Sequence, residues 1–549
     1  MKKTVFILAF LLSTHLVFTQ NQAITKEQIA AAEKILDLEM NDAERDSMLL
    51  EVSDNLLSIK AIHGQHLDNW VAPALIFDPI PSDFKPRNGS NLAKNDWQIP
   101  NNISLPANKS DLAFYNIKQL ASLIKNKKIT SVDLTKFFID RLKKYGDTLH
   151  CVISIQEEMA LAQAKKADDE IKKGQYRGIL HGIPYGVKDL LAVKGTKTTW
   201  GAAPYKNQTI DQTATVVSKL EAAGAVLVVK LSLGSLAMGD VWHGGKTRNP
   251  WDLQRGSSGS SAGSASSVVA GLVPFAIGSE TLGSIVSPST ECGATGLRPT
   301  FGRVSRFGAM TLCWSLDKLG PIVRSAEDAA IVLDAIKGTD GMDKTVKNMP
   351  FSFEKRDISK LKIGYPKEIF DTLNKNRNEW RTLETLEKLG AKLTPMSFKT
   401  TVPSRIIDII LMGECAAAFD ELTRTNLDDE LTMQNKFSWP NLFRAARFLP
   451  AVEYINANRL RSKMIEEIHA LIQQYDVIVT TNFGLNQLQI TNLTGHPVVV
   501  VPNGFSSNGR PTTISFLGNY FDEATILSVA KSFQEATDFD EKHPPMFKD

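Results

Sequence analysis

The chain has little cysteine for its size: four residues in 549, none in a CxxC pair. Cys151, Cys292, Cys313 and Cys415 are widely spaced, so they offer no disulfide framework and read as buried small apolar side chains. Histidine is also sparse. His63 and His66 stand alone near the N-terminus, and His181, His243 and His496 have no Cys or carboxylate set at ligand spacing, so no metal is expected. Charge of neither sign dominates, with 63 basic residues against 60 acidic ones, and no global field would recruit nucleic acid or an acidic membrane. No internal repeat is found, and no low-complexity tract apart from one Gly/Ser-rich loop. The apolar run Val5 to Leu12 is well short of the roughly 20 residues needed to span a bilayer.

What is present is an ordinary globular composition, 43% hydrophobic and 22% charged, in a chain long enough for a large domain with an extension. Lys2 and Lys3 precede the apolar run, and Val17-Phe18-Thr19 supply tolerable residues for cleavage before Gln20, so residues 1–19 read as a secretory signal peptide. Export follows, to the periplasm or the medium, with no stable membrane insertion once the signal is removed. No Cys follows the run, which argues against a lipid anchor.

Thr25 to Gln28 has capping-box spacing, and Ile29, Ala32, Ile35 and Leu36 recur on one helical face. Helical character returns from Asp42 to Ile62, after which Pro73, Pro79, Pro81, Pro86, Pro100 and Pro106 break up regular structure. Residues 20–105 are therefore expected to be a helical extension and a Pro-rich linker wrapping a larger body, and 106–545 the main domain. That domain opens with a helical stripe at Ile117, Leu120, Leu123 and Ile124, then a second helix with Ser131 as N-cap, ending near Gly146. Short β-like runs at 225–229, 361–364, 476–481 and 497–501 alternate with helical stretches such as Glu327 to Ile336, which predicts an α/β layered domain around a central sheet.

Arg255 to Ser267, RGSSGSSAGSASS, carries many backbone N–H groups and hydroxyls free to face a ligand. No Lys closes it as a phosphate loop would require. Gly259, Ser261 and Gly263 match GxSxG formally, but the polar stretch TRNPWDLQRGSS lacks the buried strand that a nucleophile elbow needs. A flexible linker is contradicted by the apolar stretch Val268 to Ile277 that follows at once.

Three separated segments complete the pattern. GIPYGVKDLL holds Lys188, a lone buried-looking lysine; NPWD precedes GSSAGSA, which holds Ser260; GSETLGSIVSP holds Ser284 and precedes CGATGLRPTFGRVSRFG. In order and in spacing these motifs resemble the amidase signature family, from about Ser110 to the C-terminal region. The resemblance implies an α/β/α sandwich with a large mixed central sheet, here with the N-terminal helical extension added. It also implies hydrolysis of linear amides without a cofactor. Ser284 would attack the carbonyl, and Ser260, held through a cis peptide in this family, would relay the proton. A neutral Lys188 would be the base, which requires desolvation to depress a pKa ordinarily near 10.4. The backbone N–H groups of Thr281, Leu282, Gly283 and Ser284 would form the oxyanion hole. Asp189 is expected to face away from Lys188, since neighbouring strand side chains point to opposite faces.

Departures from the family pattern bear on substrate choice. Glu280, Leu282, Val286 and Ala262 stand where Asp, Gly, Arg and Gly are frequent, and a common insertion is absent between Thr481 and Asn492. GLRPTFGRVSRFGAM and SLDKLGPI are similar to the glutaminase subunit of tRNA-dependent amidotransferases, which works in the cytoplasm with partner proteins. Export and the lack of a basic surplus favour instead a free-standing amidase acting on a small amide, as monomer or homodimer, without nucleic acid. The alternatives are that ammonia-releasing subunit and a non-catalytic scaffold of the same fold.

Overall fold

The computed structural model describes residues 24–87 and 95–548, so the expected signal peptide lies outside the described residues. The chain divides into two compact units, with the boundary after Leu67. In the smaller unit, helices Lys26–Glu33 and Asp42–His63 both begin with a capping box, at Thr25 and at Asn41. Arg45 ties them together, its Nε 2.9 Å from Glu33 Oε1. The expected apolar face is largely unused. Ile29 is buried, but the first helix stops before Ile35 and Leu36, which are exposed, and the second helix buries no residue.

The larger unit is built on one mixed sheet of 11 strands. In chain order these are β1 (Val152–Ile155), β2 (Pro184–Lys188), β3 (Val226–Leu231), β4 (Ala276–Glu280), β5 (Thr295–Arg298), β6 (Lys318–Val323), β7 (Lys362–Pro366), β8 (Lys392–Met396), β9 (Val477–Thr480), β10 (Val498–Phe505) and β11 (Pro511–Leu517). They lie in the order β1-β3-β2-β4-β6-β5-β10-β11-β9-β7-β8. β2 and β3 are buried at every position, as expected of strands covered by helices on both faces.

Helix Ile117–Lys125 is capped by Asn116 and buries Leu120, Leu123 and Ile124, as its sequence stripe predicts. The next helix, Ser131–Leu149, corrects the expected cap by one residue: Thr130 Oγ1 accepts from Asp133 N at 3.0 Å, while Ser131 Oγ donates to Gly182 O. Residues 68–87 of the Pro-rich segment belong to the larger unit. Asn69 Oδ1 accepts from Thr311 N at 2.7 Å, Phe77 stands edge-on to Phe301 at 5.0 Å, and Arg87 pairs with Asp476 at 2.7 Å. This segment is an anchored arm.

Candidate active site

Parallel strands β2 and β4 pair side by side and end at Lys188 and Glu280, while β6 runs antiparallel to β4 with Lys318 opposite Glu280. One edge of the sheet therefore gathers Lys188, the loop after Glu280, and Asp317, and strand ends of this kind are where α/β folds place their sites. The Gly/Ser-rich loop comes over the same edge. Its upstream half, expected to be irregular, forms a short hairpin of Arg248–Asn249 with Asp252–Gly256, and its downstream half starts the buried helix Ala262–Val269.

Lys188 is fully buried and faces serine hydroxyls and the Ser279 carbonyl. Its Nζ donates to Ser260 Oγ at 2.7 Å, Ser279 Oγ at 2.8 Å and Ser261 Oγ at 3.2 Å. Burial pulls the ammonium down to about 7, against the opposing pull of Asp317 and Glu280. Asp189 faces away as expected, accepting from Thr199 N at 2.7 Å and pairing with Lys230 at 2.8 Å. Lys188 is not the lone buried lysine, however. Lys230 and Lys318 are also buried, each held by a partner far away in sequence, Asp189 for the first and Asn492 for the second.

The Gly259–Ser260 peptide is cis. Ser284 joins the loop through its backbone, its carbonyl accepting from Ser261 N at 3.1 Å. Among the described residues no hydrogen bond links Ser284 Oγ to Ser260 or Lys188, so the lysine–Ser260 half of the expected relay is closed and the Ser260–Ser284 half is open. Catalytic hydrogen bonds often tighten only when substrate is bound.

The backbone N–H groups of Thr281, Leu282, Gly283 and Ser284 make no hydrogen bond to an acceptor among the described residues, which leaves them available to a ligand. Gly283 has φ of +84°, and a Cβ there would come within 2.9 Å of Ser287 Oγ, so this position demands glycine. Leu282 is not among the residues with positive φ, so its side chain sits there without backbone strain.

Glu280 explains how the loop is held. One carboxylate oxygen accepts from Ile285 N and Val286 N, both at 2.9 Å, and the other from Arg298 Nη1 at 2.8 Å and Asn492 Nδ2 at 2.9 Å. Burial pushes this carboxyl up, but Arg298 and Lys318 outweigh it and hold it at about 2. The side chain therefore closes a ring from the end of β4 to the helix Val286–Cys292, and Thr281 to Ser284 are the segment displayed between. Thr281 Oγ1 donates to Asp317 Oδ1 at 2.6 Å.

Sequence reasoning weighed Ser261 only as a formal GxSxG match and overlooked Ser279 and Asp317. Strand alternation offered a signal for Ser279, which must oppose Glu280 across β4; nothing local pointed to Asp317. His181 hydrogen-bonds locally, its Nδ1 accepting from Arg177 N at 3.0 Å, and His243 Nε2 lies 3.4 Å from Thr199 Oγ1.

The family model for amidases matches residues 133–491. A glutamyl-tRNA(Gln) amidotransferase subunit of Geobacillus kaustophilus (strain HTA426) is 34% identical over 481 residues, covering 78% of this chain and 99% of the relative. The native peptide amidase from Stenotrophomonas maltophilia superposes with a TM-score of 0.68 at 26% identity, over 78% of this chain and 97% of the other. An inhibitor-bound structure described as a vestigial protein complex, bearing on the origins of an s-triazine catabolic enzyme, gives a TM-score of 0.70 at 25% identity, over 77% and 98%.

Proposed function

The chain belongs to the amidase signature family, and from that premise we propose that it hydrolyses a carboxamide with Ser284 as nucleophile, Ser260 as relay and neutral Lys188 as base. The observation that carries this reading is the buried Lys188 amine 2.7 Å from Ser260 Oγ with no carboxylate hydrogen-bonded to it. A lysine in that setting gives up its proton near neutrality and can accept one. The Ser260 hydroxyl proton passes to Lys188 Nζ as Ser260 Oγ takes the proton of Ser284. Ser284 Oγ then bonds the carbonyl carbon, and the oxygen that gains charge meets the free N–H groups of residues 281–284. The proton returns along the same path to the departing nitrogen, the C–N bond breaks, and ammonia or an amine leaves. Water repeats the sequence on the acyl-enzyme, and the acid is released.

A second, finer reading is favoured by the relatives over a free-standing exported hydrolase. A protein 34% identical is named for its place in a glutamyl-tRNA(Gln) amidotransferase, which supports glutamine as the amide and a partner chain as the recipient of ammonia. Export remains a proposal that rests on residues 1–19, and it opposes the amidotransferase reading, because an exported chain would be parted from tRNA. Fractionation of cells producing the full chain, with N-terminal sequencing of the product, separates the two. A chain beginning at Gln20 outside the cytoplasm defeats the amidotransferase reading, and a cytoplasmic chain with residues 1–19 intact defeats export.

The reaction itself is tested by assaying a panel of carboxamides, glutamine among them, with protein lacking residues 1–19, beside Ser284→Ala and Lys188→Ala. Ammonia release lost in both variants is the expected result, and release that persists in Ser284→Ala defeats the nucleophile assignment.

A further inference from the structure

The displayed turn 281–284 is fastened at both ends, and the two fastenings differ. Glu280 holds the far end through Ile285 N and Val286 N, and its charge is matched by Arg298 at 2.8 Å. The near end is held by Asp317. In the antiparallel pairing of β4 with β6, Lys318 stands opposite Glu280, so the residue before Lys318 meets the residue after Glu280. Thr281 Oγ1 accordingly donates to Asp317 Oδ1 at 2.6 Å.

The second carboxylate oxygen reaches back into its own turn. Asp317 Oδ2 accepts from Leu312 N at 2.8 Å and Cys313 N at 3.0 Å, while Asp317 N donates to Cys313 O at 3.0 Å, which fixes the direction of the side chain. The chain just before this turn is seated on the chain just beyond Lys188. Met310 N donates to Leu190 O and Ala192 N to Gly308 O, both at 2.9 Å, and Ala309 bridges Leu191. Asp317 thus joins the start of the oxyanion segment to a strip that lies along the exit of the lysine strand.

Unlike Glu280, Asp317 has no ion pair among the described residues. Arg306, whose field reaches it, is paired with Asp343 at 2.9 Å. Three donors meet Asp317 instead, and they favour its charged form although burial pushes its pKa up. Resting on the assignment of Ser284, Ser260 and Lys188, we infer that Asp317 is a positioning residue of the hydrolysis, which clasps Thr281 so that the N–H groups of 281–284 stay aimed at the developing oxyanion. Its charge has a second consequence. Of the two carboxylates whose fields reach Lys188, Asp317 on the approach to β6 pulls harder than Glu280 on β4, while Asp189 is turned to Lys230 of β3. Ser260, Ser261 and Ser279 complete the surroundings of the amine.

Clasp and charge are separable. Thr281→Val cuts the clasp and leaves the charge. Asp317→Asn removes the charge and keeps a link, with its amide oxygen accepting from Leu312 N and Cys313 N and its amide nitrogen donating to Thr281 Oγ1.

The test reads Ser284 without a known substrate. Protein complete from residue 20 is treated with a fluorophosphonate, whose phosphorus bonds Ser284 Oγ as fluoride leaves and the serine proton passes through Ser260 to Lys188. The phosphonyl oxygen gains charge and meets the same N–H groups. Labelling is followed by intact mass from about pH 5.5 to about 9.5, and the labelled residue is located by peptide mapping. Thr281→Val labels about tenfold more slowly with the midpoint of its pH profile unmoved, and Thr281→Ser, which keeps the hydroxyl, restores the rate. Asp317→Asn moves the midpoint down by about 0.5 pH unit or more, since losing a nearby negative charge lowers the amine's affinity for its proton. This midpoint does not depend on how much of a variant folds. A Thr281→Val rate equal to that of the unaltered chain, a loss that Thr281→Ser shares, or an unmoved midpoint in Asp317→Asn overturns the inference. Absence of label in the unaltered chain, or label that persists in Ser284→Ala, instead defeats the nucleophile assignment on which the inference rests.

Discussion

Two lysines on paired strands, equally hidden from water, meet opposite fates. Lys188 ends β2 and Lys230 lies on β3 opposite Val187. Asp189 is the chain neighbour of Lys188, yet alternation along the backbone sends its carboxylate to Lys230, 2.8 Å away, where Thr198 Oγ1 also accepts at 2.9 Å. Lys188 is left with three serine hydroxyls and the Ser279 carbonyl. Burial pulls both ammonium groups down; Asp189 opposes this at contact distance for Lys230, which still stays below its ordinary value, whereas Lys188 feels only the fields of Asp317 and Glu280 and stays near 7. The identity of the facing group therefore decides whether a buried lysine is a structural cation or a base.

The largest expected effect breaks the contrast at Lys188. Lys188→Met should lower kcat/KM for amide hydrolysis by about 10³-fold or more, equivalent to roughly 4 kcal/mol of transition-state stabilisation, with the fold intact by circular dichroism. Lys230→Met should leave the hydrolytic machinery in place, and a loss of catalysis of similar size in folded Lys230→Met protein would erase the distinction. Next comes Asp189→Asn, which leaves Lys230 buried without its counter-charge. A loss of about 3 kcal/mol in unfolding free energy is expected by denaturant titration, because breaking one side of a buried pair strands the other. A loss no greater than that at an exposed aspartate would show that the pair contributes little.

A third expectation sharpens the comparison through pH. With Lys188 near 7, kcat/KM should rise about tenfold per pH unit below neutrality and level off above it, since only the neutral amine accepts a proton. A rise that continues to pH 10 would mean that Lys188 retains an ordinary lysine's affinity for protons.

The amidase assignment and the α/β alternation were legible because they are written locally, in ordered motifs and in hydrophobic periods. The capping box at Thr25 is equally local. What escaped depends on contacts between distant residues. Lys230 and Lys318 resemble ordinary surface lysines until Asp189 and Asn492 arrive from elsewhere in the chain. Asp317 acquires its place only when β6 pairs with β4. The Pro-rich stretch reads as a linker wrapping a larger body, but proline signals only irregular backbone and does not name the contacts. Asn69 on Thr311 and Phe77 on Phe301 are what make it an arm. The cap at Thr130 shows the limit even of local reading: with Thr and Ser adjacent, the choice fell to Gly182, which takes the Ser131 hydroxyl.

The smallest expected effect follows from the same asymmetry and runs against intuition, since the lysine proposed as base should cost stability. In the unfolded chain Lys188 holds its proton up to about pH 10.5, and in the folded protein only to about 7. Between those values the unfolded state binds more protons, so stability attributable to this group rises with pH across the window and is least below it. Lys188→Met, similar in length and without charge, removes that penalty but strips Ser260 and Ser279 of a donor. Ser261 Oγ already donates to Ser279 O at 3.1 Å, so part of the hydroxyl cluster keeps its partners. The net expectation at pH 7 is a gain of about 1 kcal/mol, with the stability difference between Lys188→Met and the unaltered chain shrinking as pH rises from 7 towards 10.5. Denaturant titrations at pH 7 and pH 9.5 measure both quantities. A variant that is less stable at pH 7 by the amount expected for a broken ion pair would place Lys188 in the class of Lys230, as a paired structural cation, and would remove the basis for treating it as the base.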